Sequence, residues 1–491
     1  MIGANLPALI VVLPLLASVA AALLRRGNAA WLLATATTFA VFACSIALLA
    51  RVIDSGTISY ALGDWPPPIG IEYRVDYLNA FVLLIVAGIS AVVSVFARLS
   101  VAAEIPADRI GFFYSAYLMC ITGLLGITIT GDAFNLYVLL EISSLATYTL
   151  VALGNQPHAL RASFYYLILG TVGATFLLIG IGHLYMATGT LNMADLSQRL
   201  PELMDSRTVR SGFSFIIVGA SLKLALFPLH LWLPAAYTHA PSAVTALLAA
   251  TATKVGAYVL LRFLFTVFGV EFSFQLLRAD VALLIAAVIA VLAGSYVAIR
   301  QQNAKRMLAY SSIAQIGYIT LGIGLASVTG LTAGILHLFN HALMKGALFL
   351  ALGCVVYRVG SARIDALAGL GRRMPWTFAA FTLAGLSLIG IPLTAGFISK
   401  WYLVRAAFET GWWPIAVLVL VGSLLALIYI WRVIEAAYFR PTPQAHRNVQ
   451  EAPLSLLVPT WILALANLYF GIETDLTVGT AGRAAALLLG R

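Results

Sequence analysis

Residues 211–268 read SGFSFIIVGASLKLALFPLHLWLPAAYTHAPSAVTALLAATATKVGAYVLLRFLFTVF, two apolar runs each with a lysine near its middle, the first interrupted by Pro228. Each run is long enough to cross a bilayer, which takes about 20 residues. A lysine at the bilayer centre costs roughly 2.5–3.5 kcal/mol on insertion scales, so Lys223 and Lys254 must face protein or water rather than lipid. Pro228 has no N–H, and the carbonyl four residues earlier, on Leu224, is therefore expected to lose its helical partner beside Lys223. Two lysines and a helix break at one depth predict a polar cavity inside the membrane.

The rest of the chain extends this pattern. Of its 491 residues, 62% are hydrophobic and 10% charged. Apolar runs near 5–24, 29–50, 77–97, 110–130, 132–153, 160–186, 211–233, 242–268, 279–300, 304–326, 329–357, 375–404, 411–434 and 453–472 predict an all-α polytopic membrane protein of about 14 transmembrane helices. The formal charge of +10 would suggest a nucleic-acid surface in a soluble chain. Here the basic residues sit in loops and follow membrane sidedness, and no nucleic-acid module is present. The first apolar run lacks a basic leader and is followed by Arg25 and Arg26, which predicts an uncleaved span starting outside. From that start the inner loops collect most of the arginines together with Lys305, so both termini are expected outside, with an even number of spans. The segment 52–76 alternates like two short strands about Pro66, Pro67 and Pro68, an expected external hairpin. Residues 187–210 form a second external loop and 358–374 an internal one. Cys44, Cys120 and Cys354 have neither metal nor redox spacing.

Phe227-Pro228-Leu229 recurs as Ile391-Pro392-Leu393, each breaking the fourth span of a five-span block. An odd number of spans inverts the second copy, and paired broken helices in corresponding halves point to an ion pathway between them. The expected units are residues 1–109, three spans with the hairpin; 110–273 and 274–440, two inverted five-helix repeats that each form a proton half-channel; and 441–491, the last span. Lys223 precedes its proline whereas Lys400 follows its own, so the repeats carry their charges on opposite sides of the breaks.

Among 29 basic residues only five are lysines: Lys223, Lys254, Lys305, Lys345 and Lys400. All but Lys305 fall within spans. Arginine stays protonated in proteins, whereas a desolvated lysine can titrate near neutrality, so this partition suits groups that lose and regain protons. Snorkelling explains a lysine only near a span end. Glu141, in GDAFNLYVLLEISSL, is the carboxylate expected deep within a span, and a buried carboxylate calls for a cation such as Lys223. His337, His341 and Lys345 recur four residues apart in HLFNHALMKGALF, on one side of a helix. Two histidines without a third ligand make a poor metal site, and neutral imidazoles linking lysines through water fit better. His230 and His239 flank the end of the first broken span and rank lower. No phosphate loop, cofactor motif or hydrolytic nucleophile is present. Nor does the chain offer an evident cluster of carboxylates and carbonyls for a sodium ion.

At these residues the sequence resembles the antiporter-like subunit family shared by Mrp multisubunit sodium/proton antiporters, respiratory complex I and membrane-bound hydrogenases. The matching stretches are GDAFNLYVLLE, SLKLALFPLHLWLPAAYTHAPSAVTALLAATATK, KRMLAYSSIAQIGY, HLFNHALMKGALF and GIPLTAGFISKW. The resemblance implies a subunit of a membrane antiporter complex in a bacterial cell membrane, moving protons and monovalent cations, without a cofactor. It implies that Glu141 and Lys223 form the input pair, that Lys254 is central, and that Lys400 serves the second half-channel. LPAAYTHAPSAVTALLAATATK looks closer to the D-type Mrp branch than to the complex I branch, whose redox-driven proton pumping is the alternative.

Overall fold

The computed structural model describes residues 3, 5–24, 26–155 and 157–490, so Arg25, counted above among the inner loops, lies outside the described residues. Two apolar helices, α1 (Leu6–Leu23) and α2 (Gly27–Ser55), lead into an antiparallel hairpin of β1 (Ile58–Ala61) and β2 (Glu72–Val75), with Ile58 opposite Val75. The alternation in 52–76 therefore forms the expected strands. Asp76 then caps α3 (Tyr77–Glu104), its carboxylate accepting the Leu78 and Asn79 N–H groups. α4 (Ile110–Ile129), α5 (Ala133–Ala152) and α6 (Ala159–Thr188) follow, and the loop after them holds a short α7 (Met193–Arg199).

The expected seventh span is α8 (Arg207–Leu224) and α9 (Trp232–His239); the eighth is α10 (Ser242–Ala250) and α11 (Ala252–Leu261), continued by a π-helical turn, Arg262–Val267. α12 (Ala279–Arg300), α13 (Ala304–Gly324) and the long α14 (Val328–Val359) precede the second broken span, α15 (Pro375–Ile389) and α16 (Ala395–Glu409). α17 (Trp413–Phe439), α18 (Leu454–Ile472) and α19 (Asp475–Leu488) complete the chain. Among the described residues, eleven helical spans are long and apolar enough to cross a membrane, counting α10, α11 and their π-helical continuation as one. The two broken pairs and α13 supply the remaining expected spans.

Both breaks share one closing motif. Ala225 is left-handed (φ 60°), with its N–H on the Leu222 carbonyl at 3.1 Å and the Leu226 N–H on Ser221 at 2.9 Å. Gly390 is likewise left-handed (φ 92°), with its N–H on Ser387 at 3.0 Å and the Ile391 N–H on Leu386 at 3.1 Å. These are Schellman closures, so each helix ends three or four residues before its proline. The expectation that Pro228 strips Leu224 of its partner within a continuing helix is corrected accordingly: the helix has already stopped. The indole N–H of Trp232 folds back onto the Leu222 carbonyl at 2.9 Å.

A third break was not expected. Thr251 (φ −125°, ψ −56°) separates α10 from α11, and its hydroxyl bonds back to the Leu247 carbonyl at 2.7 Å, a contact that bends helices. α19 was not expected either. It packs against α3 and α14, where Arg483 lies over the Tyr77 ring. The start of α1 meets the hairpin through Tyr60 and Asn5, and residues 487–490 lie beside Thr57 and Arg74. Both described ends therefore share the hairpin face.

Candidate functional site

Lys223 occupies the last turn of α8 and donates to the Ser144 hydroxyl of α5 at 2.8 Å. Glu141, one turn earlier on α5, is within electrostatic range of the ammonium but does not touch it, and its Oε1 is buried without a hydrogen-bond partner. The structure thus puts the two expected partners in one neighbourhood, with Ser144 as the group Lys223 contacts. A cavity of about 40 Å³ adjoins Lys223, lined by Ser143, Ser144, Thr147 and Tyr166 on one side and Val255 and Gly256 of α11 on the other. It has room for a few waters. Gly256 permits the approach of α11 to α8, since a Cβ there would fall 2.9 Å from the Leu224 backbone.

Lys254 lies just past the Thr251 break, 0% exposed. Its ammonium donates to the Ala249 carbonyl, an acceptor left open by the end of α10, and more weakly to Thr253 Oγ1 at 3.4 Å. Lys254 is within electrostatic range of His337, His341 and Lys345 on α14. All three are 0% exposed. Their four-residue spacing on one helix puts them in a row, and the two imidazoles stack with centroids 6.1 Å apart. Both ring nitrogens of His341 lack a protein partner. His337 is held at both nitrogens, by Ser399 Oγ at 2.7 Å and Gln315 Oε1 at 3.1 Å. Lys345 donates to the Leu308 carbonyl at 2.8 Å and to the Ser311 hydroxyl.

Lys400, on α16, reaches back across the second break to the Leu388 carbonyl at 3.0 Å, the Ile389 carbonyl at 2.9 Å and Ser423 Oγ of α17 at 2.9 Å. Its ammonium also sits 4.9 Å from the centroid of Tyr318, whose ring meets His337 edge-on. Lys254, His341, Lys345, His337 and Lys400 therefore form one buried cluster. Glu141 and Lys223 form a second, across the small cavity and α11. His230 stacks on Phe227 within the first break, and His239 faces His158 at the end of α9.

Several polar residues were missed. Ser144, Ser311, Ser399, Ser423, Gln315 and Tyr318 hold the titratable groups, but hydroxyls are too common in apolar helices for sequence to single them out. Arg262 gave the same signal as the lysines, a charge inside a span. It is buried and bonds Asp76 at 2.5 Å, the Tyr258 hydroxyl at 3.0 Å, and Asn79. Lys305, expected in an inner loop, is buried at the start of α13, where it donates to the Ala240 carbonyl at 3.3 Å near Glu104.

Residues 130–426 match the family described as NADH:quinone oxidoreductase/Mrp antiporter, TM. The chain belongs to that family. Among its members, an NADH-quinone oxidoreductase subunit from Desulforudis audaxviator is 42% identical over 96% of each chain. A Na(+)/H(+) antiporter subunit from Bacillus subtilis is 31% identical over 90% of this chain and 88% of that one. A protein in the structure of the Mrp complex from Dietzia superposes with a TM-score of 0.90, at 26% identity, covering 100% of this chain and 98% of that one. The chain is thus a multi-pass membrane protein of the antiporter-like kind.

Proposed function

We propose that the chain is the proton-translocating subunit of a multisubunit monovalent cation/proton antiporter in a bacterial cell membrane, working beside other subunits. Protons would pass between Glu141–Lys223 and the cluster of Lys254, His341, Lys345, His337 and Lys400, in two inverted five-helix repeats over 110–273 and 274–440. The observation that carries the reading is the series of titratable cations inside the spans: each is a lysine or histidine, able to hold or release a proton, none has a carboxylate contact, and all but His341 are held by hydroxyls or carbonyls. His341, with both nitrogens free of protein partners, suits a water-linked step between Lys254 and His337. The packing order supports the repeats, because first meets second, second meets third and third meets the broken fourth span in both blocks.

The relative at 42% identity favours a second reading, in which the same relay is driven by electron transfer in a complex I type assembly. Everted vesicles separate the two. Under the antiporter reading, adding sodium without any electron donor collapses a preformed pH gradient, and deleting the gene abolishes that response. Proton movement that requires an electron donor and ignores sodium would instead establish the second reading.

A further inference from the structure

The ammonium of Lys400 has three N–H groups, and all three meet oxygen: the Leu388 carbonyl, the Ile389 carbonyl and the Ser423 hydroxyl, at 2.9–3.0 Å. No other lysine among the described residues is held this way. Lys223 has one oxygen partner, Lys305 one, and Lys254 and Lys345 two each. Two of the three oxygens are backbone atoms at the C-terminal end of α15, left open because the Schellman closure uses the carbonyls of Leu386 and Ser387. A half-helix C-terminus carries partial negative charge, and unwound carbonyls at such breaks are a recurring way to coordinate monovalent cations within membranes. These oxygens remain in place whatever the lysine side chain does.

We infer that the Leu388 carbonyl, the Ile389 carbonyl and the Ser423 hydroxyl form a binding site for a monovalent cation, one the Lys400 ammonium fills when the cation is absent. The titratable groups facing Lys400 from neighbouring helices are His337 on α14 and Tyr318 on α13, neither of them a carboxylate. With the same three oxygens as ligands and no carboxylate to neutralise a second charge, the ammonium and the ion exclude each other. Exchange is then one for one: Lys400 gives a proton to water and becomes a neutral amine, and the incoming cation trades hydration waters for the three oxygens. The net charge at the break is therefore the same before and after exchange.

This inference rests on the antiporter reading for its physiological role, but binding does not require turnover, so equilibrium binding of radiolabelled sodium to the purified intact complex tests it separately. Ser423→Ala removes one ligand and should weaken binding roughly tenfold, the loss expected for one contact to a charged group. Ser423→Thr keeps the hydroxyl and should bind as wild type. Lys400→Met should end transport while sodium still binds, now without competition from protons. Sodium binding by a complex that shows no sodium-driven exchange would count against the antiporter reading and leave the site standing. Identical binding in wild type and Ser423→Ala, or loss of binding in Lys400→Met, overturns the inference.

Discussion

Lys254 holds its ammonium against the Ala249 carbonyl with no exposed surface, whereas Arg262, eight residues further along the same span, meets a carboxylate at 2.5 Å. The difference follows from their chemistry. A guanidinium never gives up its proton, so it suits a permanent ion pair, whereas an amine held only by neutral oxygens can lose its charge without stranding a partner. Lys254→Arg keeps the charge and removes the titration, so exchange in everted vesicles should fall as far as in Lys254→Ala. Normal transport by the arginine variant would make Lys254 a fixed charge and remove it from the pathway. Lys223 contacts Ser144 and not Glu141, so the test of the proposed coupling between Glu141 and Lys223 is functional. Glu141→Ala and Lys223→Ala should each stop exchange while the complex still assembles, and near-normal transport by both would end the idea of an input pair.

The two broken spans close on the same backbone motif but with different residues at the left-handed position, Ala225 in the first and Gly390 in the second. A left-handed residue other than glycine costs roughly 1–2 kcal/mol, which the first break tolerates and the second has no room for. A Cβ on Gly390 would fall 2.9 Å from the Lys400 Cδ. Gly390→Ala should therefore displace Lys400 from the Leu388 and Ile389 carbonyls and depress exchange several-fold or more. Ala225→Gly should leave exchange intact and the melting temperature of the purified complex unchanged or slightly higher. Equal transport by both variants would mean that the second break does not hold Lys400 in its working place. The breaks at Pro228 and Pro392 were legible because proline cannot continue a helix. The one at Thr251 was not, since a hydroxyl bonding back to Leu247 leaves no compositional mark. The lysines were legible for an energetic reason, the cost of a cation in hydrocarbon, which applies wherever the fold places it. Their hydroxyl partners depend on which helices meet: Ser144 is 79 residues from Lys223 and Ser423 is 23 from Lys400. α19 escaped notice because DLTVGTAGRAAALL is short and rich in small residues, and it gains its place from the faces of α3 and α14.

Across the whole molecule, a buried ion pair at the hairpin face is one of the places where the first three spans meet the helices that follow. Asp76 caps α3, and the same carboxylate oxygen accepts from Arg262, beyond α11 in the fifth span of the first block; the side chains are 5% and 7% exposed. Asn79 and Tyr258 complete the network, the Asn79 amide donating to the Tyr258 hydroxyl at 2.8 Å. Breaking such a pair from one side leaves a buried charge uncompensated, at a cost of about 3–5 kcal/mol, while replacing both partners with apolar residues is often neutral. Asp76→Asn keeps a capping oxygen for the Leu78 and Asn79 N–H groups but removes the charge that neutralises Arg262. That variant should lower the melting temperature of the purified complex and reduce its recovery from membranes. Asp76→Asn with Arg262→Met, which removes the stranded cation, should recover most of the loss. The order of the two matters, because a cap defect alone would leave the double variant no better than the single one. Recovery by the double variant shows that the charge pair, and not the α3 cap, supplies the stability lost in Asp76→Asn; a wild-type melting curve for Asp76→Asn shows that the pair contributes none.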